Sequence, residues 1–135
     1  MATQNQVFQL TGMAANADLS DKQFFFVKMD TTDKRVALCD ADGEVCIGVL
    51  QNKPNAAGQV AEVMALGITK VKAGETLAAG DLVKTLSNGK AGVAEGTVTG
   101  ADVGDYVIGQ VKIGAALDEI ATITVGFPTF RVEAQ

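Results

Sequence analysis

The sequence contains no histidine and no tryptophan, and only two prolines, two cysteines and one tyrosine among its 135 residues. Without histidine there is no imidazole for a metal and no Ser-His or Cys-His couple. Aromatic residues make up 5% of the chain, too few to line a sugar-binding cleft. Basic residues are also in short supply: 11 Lys and Arg stand against 16 Asp and Glu, for a net charge of −5. They are scattered, so no basic stripe is present to neutralise phosphates, and neither a nucleic acid nor an anionic membrane is an expected partner. No run approaches the roughly 18 apolar residues that suggest a membrane span. The opening MATQNQVFQL lacks the basic and apolar regions of a signal peptide. The expectation is a soluble chain made in a cytoplasm.

What is present is 15 glycines among short Val, Ile and Leu runs, with 47% hydrophobic and 20% charged residues. That composition is globular, and the length suits one core rather than two. Turn signals recur every 8 to 12 residues, as in a sandwich or barrel. Strands are expected at residues 24–29, 60–66, 67–72, 82–85, 105–113 and 120–125. Turns are expected at residues 31–34 and at Asn88-Gly89, and a polar Gly/Thr loop at residues 95–102. No segment longer than about ten residues carries helical periodicity; residues 18–23, with N-cap types at their start, suit one helical turn. The predicted fold is all-β: a small β-barrel or β-sandwich of short antiparallel strands, with an extended N-terminal arm and at most one short helical turn. The chain divides into an arm (1–17), a β domain (18–126) and a C-terminal tail (127–135).

The strongest hairpin signal is Asp42-Gly43. Folding about it sets Cys39 opposite Cys46, Leu38 opposite Ile47 and Val36 opposite Val49. Cys39 and Cys46 then fall on a hydrogen-bonded pair, whose spacing suits a disulfide poorly; free thiols are expected. An internal echo is also visible. Gly43-Glu-Val-Cys-Ile-Gly-Val-Leu50 aligns with Gly104-Asp-Tyr-Val-Ile-Gly-Gln-Val111 at an offset of 61 residues. Each copy runs into an Ala/Gly loop and then another strand. Two readings stay open: turn glycines shared by chance, or a duplicated β unit.

Other patterns that suggest chemistry have simpler explanations. Asp40, Asp42 and Glu44 lack the spacing of a calcium loop, because Val45 stands where that loop needs its glycine. The run GETLAAG at residues 74–80 lacks the Gly-Lys-Ser/Thr ending of a phosphate loop. Thr32-Asp33-Lys34 resembles the tip of a lipoyl carrier domain, but Asp30 is one place too early for that family's acidic residue; Lys34 reads better as a solvated turn lysine. No catalytic residues, metal or cofactor are expected.

From about residue 24 to 126, the order of pieces resembles the capsid decoration (cement) proteins of tailed bacteriophages. The carriers are Phe25-Phe-Val-Lys28, the Gly43–Leu50 arm, Ala56-Ala-Gly58 leading to Val60-Ala-Glu-Val63, and Gly67-Ile-Thr-Lys-Val71. Ala79-Gly-Asp-Leu-Val83, Ser87-Asn-Gly-Lys90 and Ile108-Gly-Gln-Val111 continue the order. The N-terminus and the last nine residues lie outside it. The resemblance implies a structural virion protein on the outer capsid surface, made in the bacterial host cytoplasm. It further implies a homo-oligomer, a trimer by preference, that bridges neighbouring copies of the major capsid protein and has no enzymatic activity. A tail or adaptor component is the alternative, and a lipoyl-like carrier a more distant one. Val7, Phe8 and Leu10, an apolar cluster in a polar stretch, are candidate capsid-binding residues that add a strand to a partner's sheet edge.

Overall fold

A computed structural model describes residues 8–94 and 105–130. Among these residues it contains strands and turns and no helix. The strands are β1 (Phe8–Leu10), β2 (Ala14–Ala15), β3 (Phe26–Met29), β4 (Arg35–Leu38), β5 (Gly48–Leu50), β6 (Val63–Lys72), β7 (Leu82–Thr85), β8 (Ala91–Val93), β9 (Tyr106–Ile113) and β10 (Ile120–Phe130). The all-β expectation holds. Residues 18–23 form successive turns instead of a helix, with the Lys22 N–H donating to the Leu19 carbonyl and the Phe25 N–H to that of Lys22. Val7, the 95–102 loop, Gly104 of the echo and residues 131–135 lie outside the described residues.

The strands follow one path, β2-β4-β3-β5-β6-β10-β9-β7-β8, with β1 added on β6. The ten-residue β6 serves both halves. Its first part pairs with β5 and β1, and from Gly67 onward it pairs with β10. The change of partner falls at Gly67, whose φ of 139° is open to glycine and costly for other residues. The sequence reading placed two strands here, and the structure merges them into one.

The Asp42-Gly43 hairpin is not formed as expected. Gly43 does turn, with φ at 72°, but β4 and β5 do not pair with each other. Instead β3 lies between them, antiparallel to both: Val27 faces Leu38 on one side and Gly48 on the other. The short turn at residues 31–34, with Lys34 at φ 61°, closes β3 onto β4 first in sequence. The Gly43 region is held instead by the second half of the chain: the Gly43 N–H donates to the Thr85 carbonyl, and the Tyr106 N–H donates to the Gly43 carbonyl.

Alternation explains the apolar run at residues 24–29. Successive side chains on a strand point to opposite faces, and here both faces are covered. Val27, Val36, Leu50 and Val63 join Ala15 and Leu19 in one cluster within the first half. Their neighbours Phe26, Val49 and Met64 point the other way, into a larger cluster with Val71, Val83, Ile108, Val111 and Ile123 from the second half. The two halves therefore share a core.

The pairing diagram also decides between the two readings of the internal echo. Leu50 pairs with Val63 and Val49 with Met64, while Val111 pairs with Ile123 and Gln110 with Thr124. On their other edges, Val27 faces Gly48 as Val83 faces Gly109. The outer pairs Val27–Leu38 and Lys28–Ala37 recur as Val83–Val93 and Lys84–Gly92. From either end the order thus reads alike toward the β6–β10 contact, as a duplicated unit requires. The echoed glycines share a function too. A Cβ on Gly48 would fall against the Met64 carbonyl oxygen, and one on Gly109 against that of Thr124.

Because those neighbours are backbone atoms, Gly48→Ala and Gly109→Ala should each lower stability by about 2–3 kcal/mol. At Gly80, where φ is 93° but nothing lies within 4 Å of the Cβ position, alanine should cost about 1–2 kcal/mol. Urea unfolding of the three variants checks this ordering.

Candidate functional site

The residues put forward from sequence sit on β1. This strand lies antiparallel to the first part of β6, pairing Phe8 with Leu66, Gln9 with Met64 and Leu10 with Val63, with a bulge between Phe8 and Gln9. The Leu10 side chain is half-buried and packs against the first-half core cluster. The segment set apart as an arm thus supplies β1 and also β2, which runs parallel to β4. Removing residues 2–12 would strip β6 of a neighbour and the core of Leu10.

Two lysines stand at equivalent places in the duplicated ladder. Lys28, on β3, donates to Asp40 Oδ1 at 2.6 Å and to Glu44 Oε1 at 2.9 Å. Glu44 Oε2 in turn accepts the N–H groups of Asp40 and Ala41 at 2.7 and 2.6 Å. Lys84, on β7, reaches Asp42 Oδ1 at 2.7 Å and Asp105 Oδ2 at 3.2 Å. Glu44 and Asp105 are themselves partners in the echo, so the Lys28–Glu44 pair is repeated as Lys84–Asp105. The acids that invited a calcium reading are therefore engaged by lysines. Among the described residues no group of three or more Cys, Asp or Glu side chains is placed to hold a metal ion.

The electrostatics follow from that geometry. The hydrogen bonds that Lys28 donates to Asp40 and Glu44 hold its pKa well above the ordinary lysine value, and Lys28 lowers that of Asp40. Lys84 is buried, at 8% exposure. Burial is the largest single influence and acts to lower its pKa, but Asp42 and Asp105 together outweigh it and hold the value above ordinary. These pairs went unread in the sequence, although a signal was there: Val27-Lys28 and Val83-Lys84 place a lysine at the same point of two apolar strands.

Cys39 and Cys46 are free and fully buried. They meet in the shared core from the segments just after β4 and just before β5, and their hydrogen bond, together with burial, pushes the Cys39 thiol up. A thiol so held is a poor nucleophile. Lys34 lies exposed on the β3–β4 turn.

The sequence matches no protein-family model and no curated protein. Its fold is shared with a solved structure, the head fiber gp8.5 N base of bacteriophage phi29. The TM-score is 0.63 over 96% of this chain and 99% of the other, at 16% sequence identity.

In the native protein both thiols should resist a disulfide reagent such as Ellman's, and both should react at once on unfolding; rapid native labelling would contradict their burial. Lys84→Met should cost about 2–3 kcal/mol by removing the buried cation shared by Asp42 and Asp105, and Lys84→Met with Asp105→Asn less than the two changes summed. Since the lysine pKa values are raised, their contribution is complete below the unfolded value of about 10.4 and is lost as pH rises through the folded values. Thermal melts above pH 10 should show that alkaline fall, and show it less steeply in Lys84→Met.

Proposed function

We propose that this protein is a structural component of a phage virion that binds the outer capsid surface and cements neighbouring major capsid subunits, without enzymatic activity. The observation that carries the reading is the fold shared over nearly the whole chain with the head fiber gp8.5 N base of bacteriophage phi29. The ordered motifs from residue 24 to 126 support it independently. A folded body with a continuous core suits a task of covering joints. Interfaces of about 1,600 Å² in total suffice for specific docking, and a symmetric oligomer, here a trimer, adds avidity by touching several subunits at once. Synthesis in the bacterial host cytoplasm completes the proposal.

Val7, Phe8 and Leu10 belong to it as capsid contacts. Because Leu10 also packs in the chain's own core, the informative truncation removes residues 2–7 and spares β1. Co-sedimentation with expanded empty shells of the major capsid protein tests both levels. The full chain should pellet with the shells, and the truncated chain should melt at the same temperature and pellet less. Shells that leave the full chain in the supernatant, or purified particles that lack it, would refute the proposal. Equal pelleting of the two chains would remove Val7 alone from the proposed contacts.

A further inference from the structure

The outward face of β6 and β10 differs from the rest of this acidic surface. Leu66, Ile68 and Ile120 are 45%, 50% and 44% exposed. Between them Lys70 and Lys72 point outward from β6, opposite Thr122 and Ile120 in the ladder. At the Ile120–Lys72 pair this face runs into an open cleft of about 310 Å³, where Phe25, Lys53 and Lys90 join the lining with Asp21. Four lysines and three exposed aliphatic side chains thus share one continuous surface. The acids at its edge already have partners: Asp118 receives Lys90 at 2.6 Å, Asp21 lies 3.5 Å from Lys22, and Glu119 accepts the Ala116 N–H. No carboxylate among the described residues lies within 4 Å of the ammonium groups of Lys53, Lys70 or Lys72.

We propose that this face is the docking surface for an acidic segment of the shell protein, with its carboxylates between Lys70, Lys72 and Lys53 and its apolar side chains on Ile68 and Ile120. The inference rests on the proposed function and names the partner's chemistry. Charge complementarity argues for it. The uncompensated lysines of this face attract carboxylates while the rest of a chain of net charge −5 repels them, so an acidic partner is directed to this face. A second copy is the poorer occupant, because most of this chain's acids among the described residues are already engaged. Asp40 and Glu44 hold Lys28, Asp42 and Asp105 hold Lys84, and Asp18, Glu75 and Asp81 accept backbone N–H groups.

The test uses the full chain and empty shells. Lys70→Glu with Lys72→Glu reverses two outward charges on the face. Lys34→Glu with Arg35→Glu makes the same net change on the β3–β4 turn and serves as control. The first variant should bind shells more weakly by on the order of tenfold, with circular dichroism and oligomeric mass unchanged, and the control should stay within about twofold. Binding of the parent should weaken between about 50 and 300 mM salt. Equal effects from both variants, no effect from either, or a changed oligomeric mass in the first would overturn the inference while leaving capsid binding standing. A parent that fails to bind at all overturns both.

Discussion

The antiparallel contact of β6 with β10 is the constraint on which the rest of the molecule depends. Six successive pairs, from Lys72–Ile120 to Gly67–Val125, join the two halves into one sheet. Each half alone is a unit of about 55–60 residues, near the lower limit at which a hydrophobic core sustains itself. Joining them at β6 brings Phe26, Val49 and Met64 against Val71, Ile108 and Ile123, so that one core replaces two small ones. The hinge at Gly67 lets one strand serve both parts.

The duplication is close in backbone pairing and has diverged in its charges. Lys28 is satisfied within its own half, by Asp40 and Glu44. Its counterpart Lys84 reaches across, taking Asp42 from the first half and Asp105 from the second. With the Gly43 hydrogen bonds to Thr85 and Tyr106, this makes the 40–44 turn a clasp between the halves. A side-chain Cβ at Gly43 would collide with Asp105, so the glycine both turns the chain and admits the carboxylate. A buried pair of this kind adds little net stability over apolar packing, but breaking one side of it is costly. Its contribution is to fix how the halves meet.

Much of this was legible in the sequence. Period-two patterning and spaced turn glycines gave the fold class, the 31–34 and Asn88-Gly89 turns and the cores of β3, β7, β9 and β10. The echo gave the duplication, because glycines that must admit a neighbouring carbonyl leave a sequence trace. The partner of each strand was not legible. Asp42-Gly43 carries a strong local hairpin signal, yet β3 lies between the strands that flank it; local turn propensity says nothing about a third strand competing for the same edge. The role of β1 was hidden for a similar reason. Val7, Phe8 and Leu10 stand out as apolar in a polar stretch, but whether such a strand finds its edge on another chain or on its own β6 is a long-range matter.

The way the sheet ends bears on how the protein can bind anything. Exposed strand edges invite uncontrolled pairing, and here they are short and curled back. Ala73 bridges Ala91 beside β8, and Ala14 bridges Val60 beside β2. The first part of β6 has β5 on one side and β1 on the other. Both edges of that first part are therefore taken, the outer one by the three-residue, bulged β1. The sheet also offers a partner its outer face, where the aliphatic and lysine side chains of β6 and β10 stand exposed. Selection against open edges moves recognition onto faces, where side-chain chemistry and not backbone pairing sets the partner. The β6–β10 ladder that unites the two halves also lays out that face, so the contact that makes the fold possible is the one that presents the binding surface.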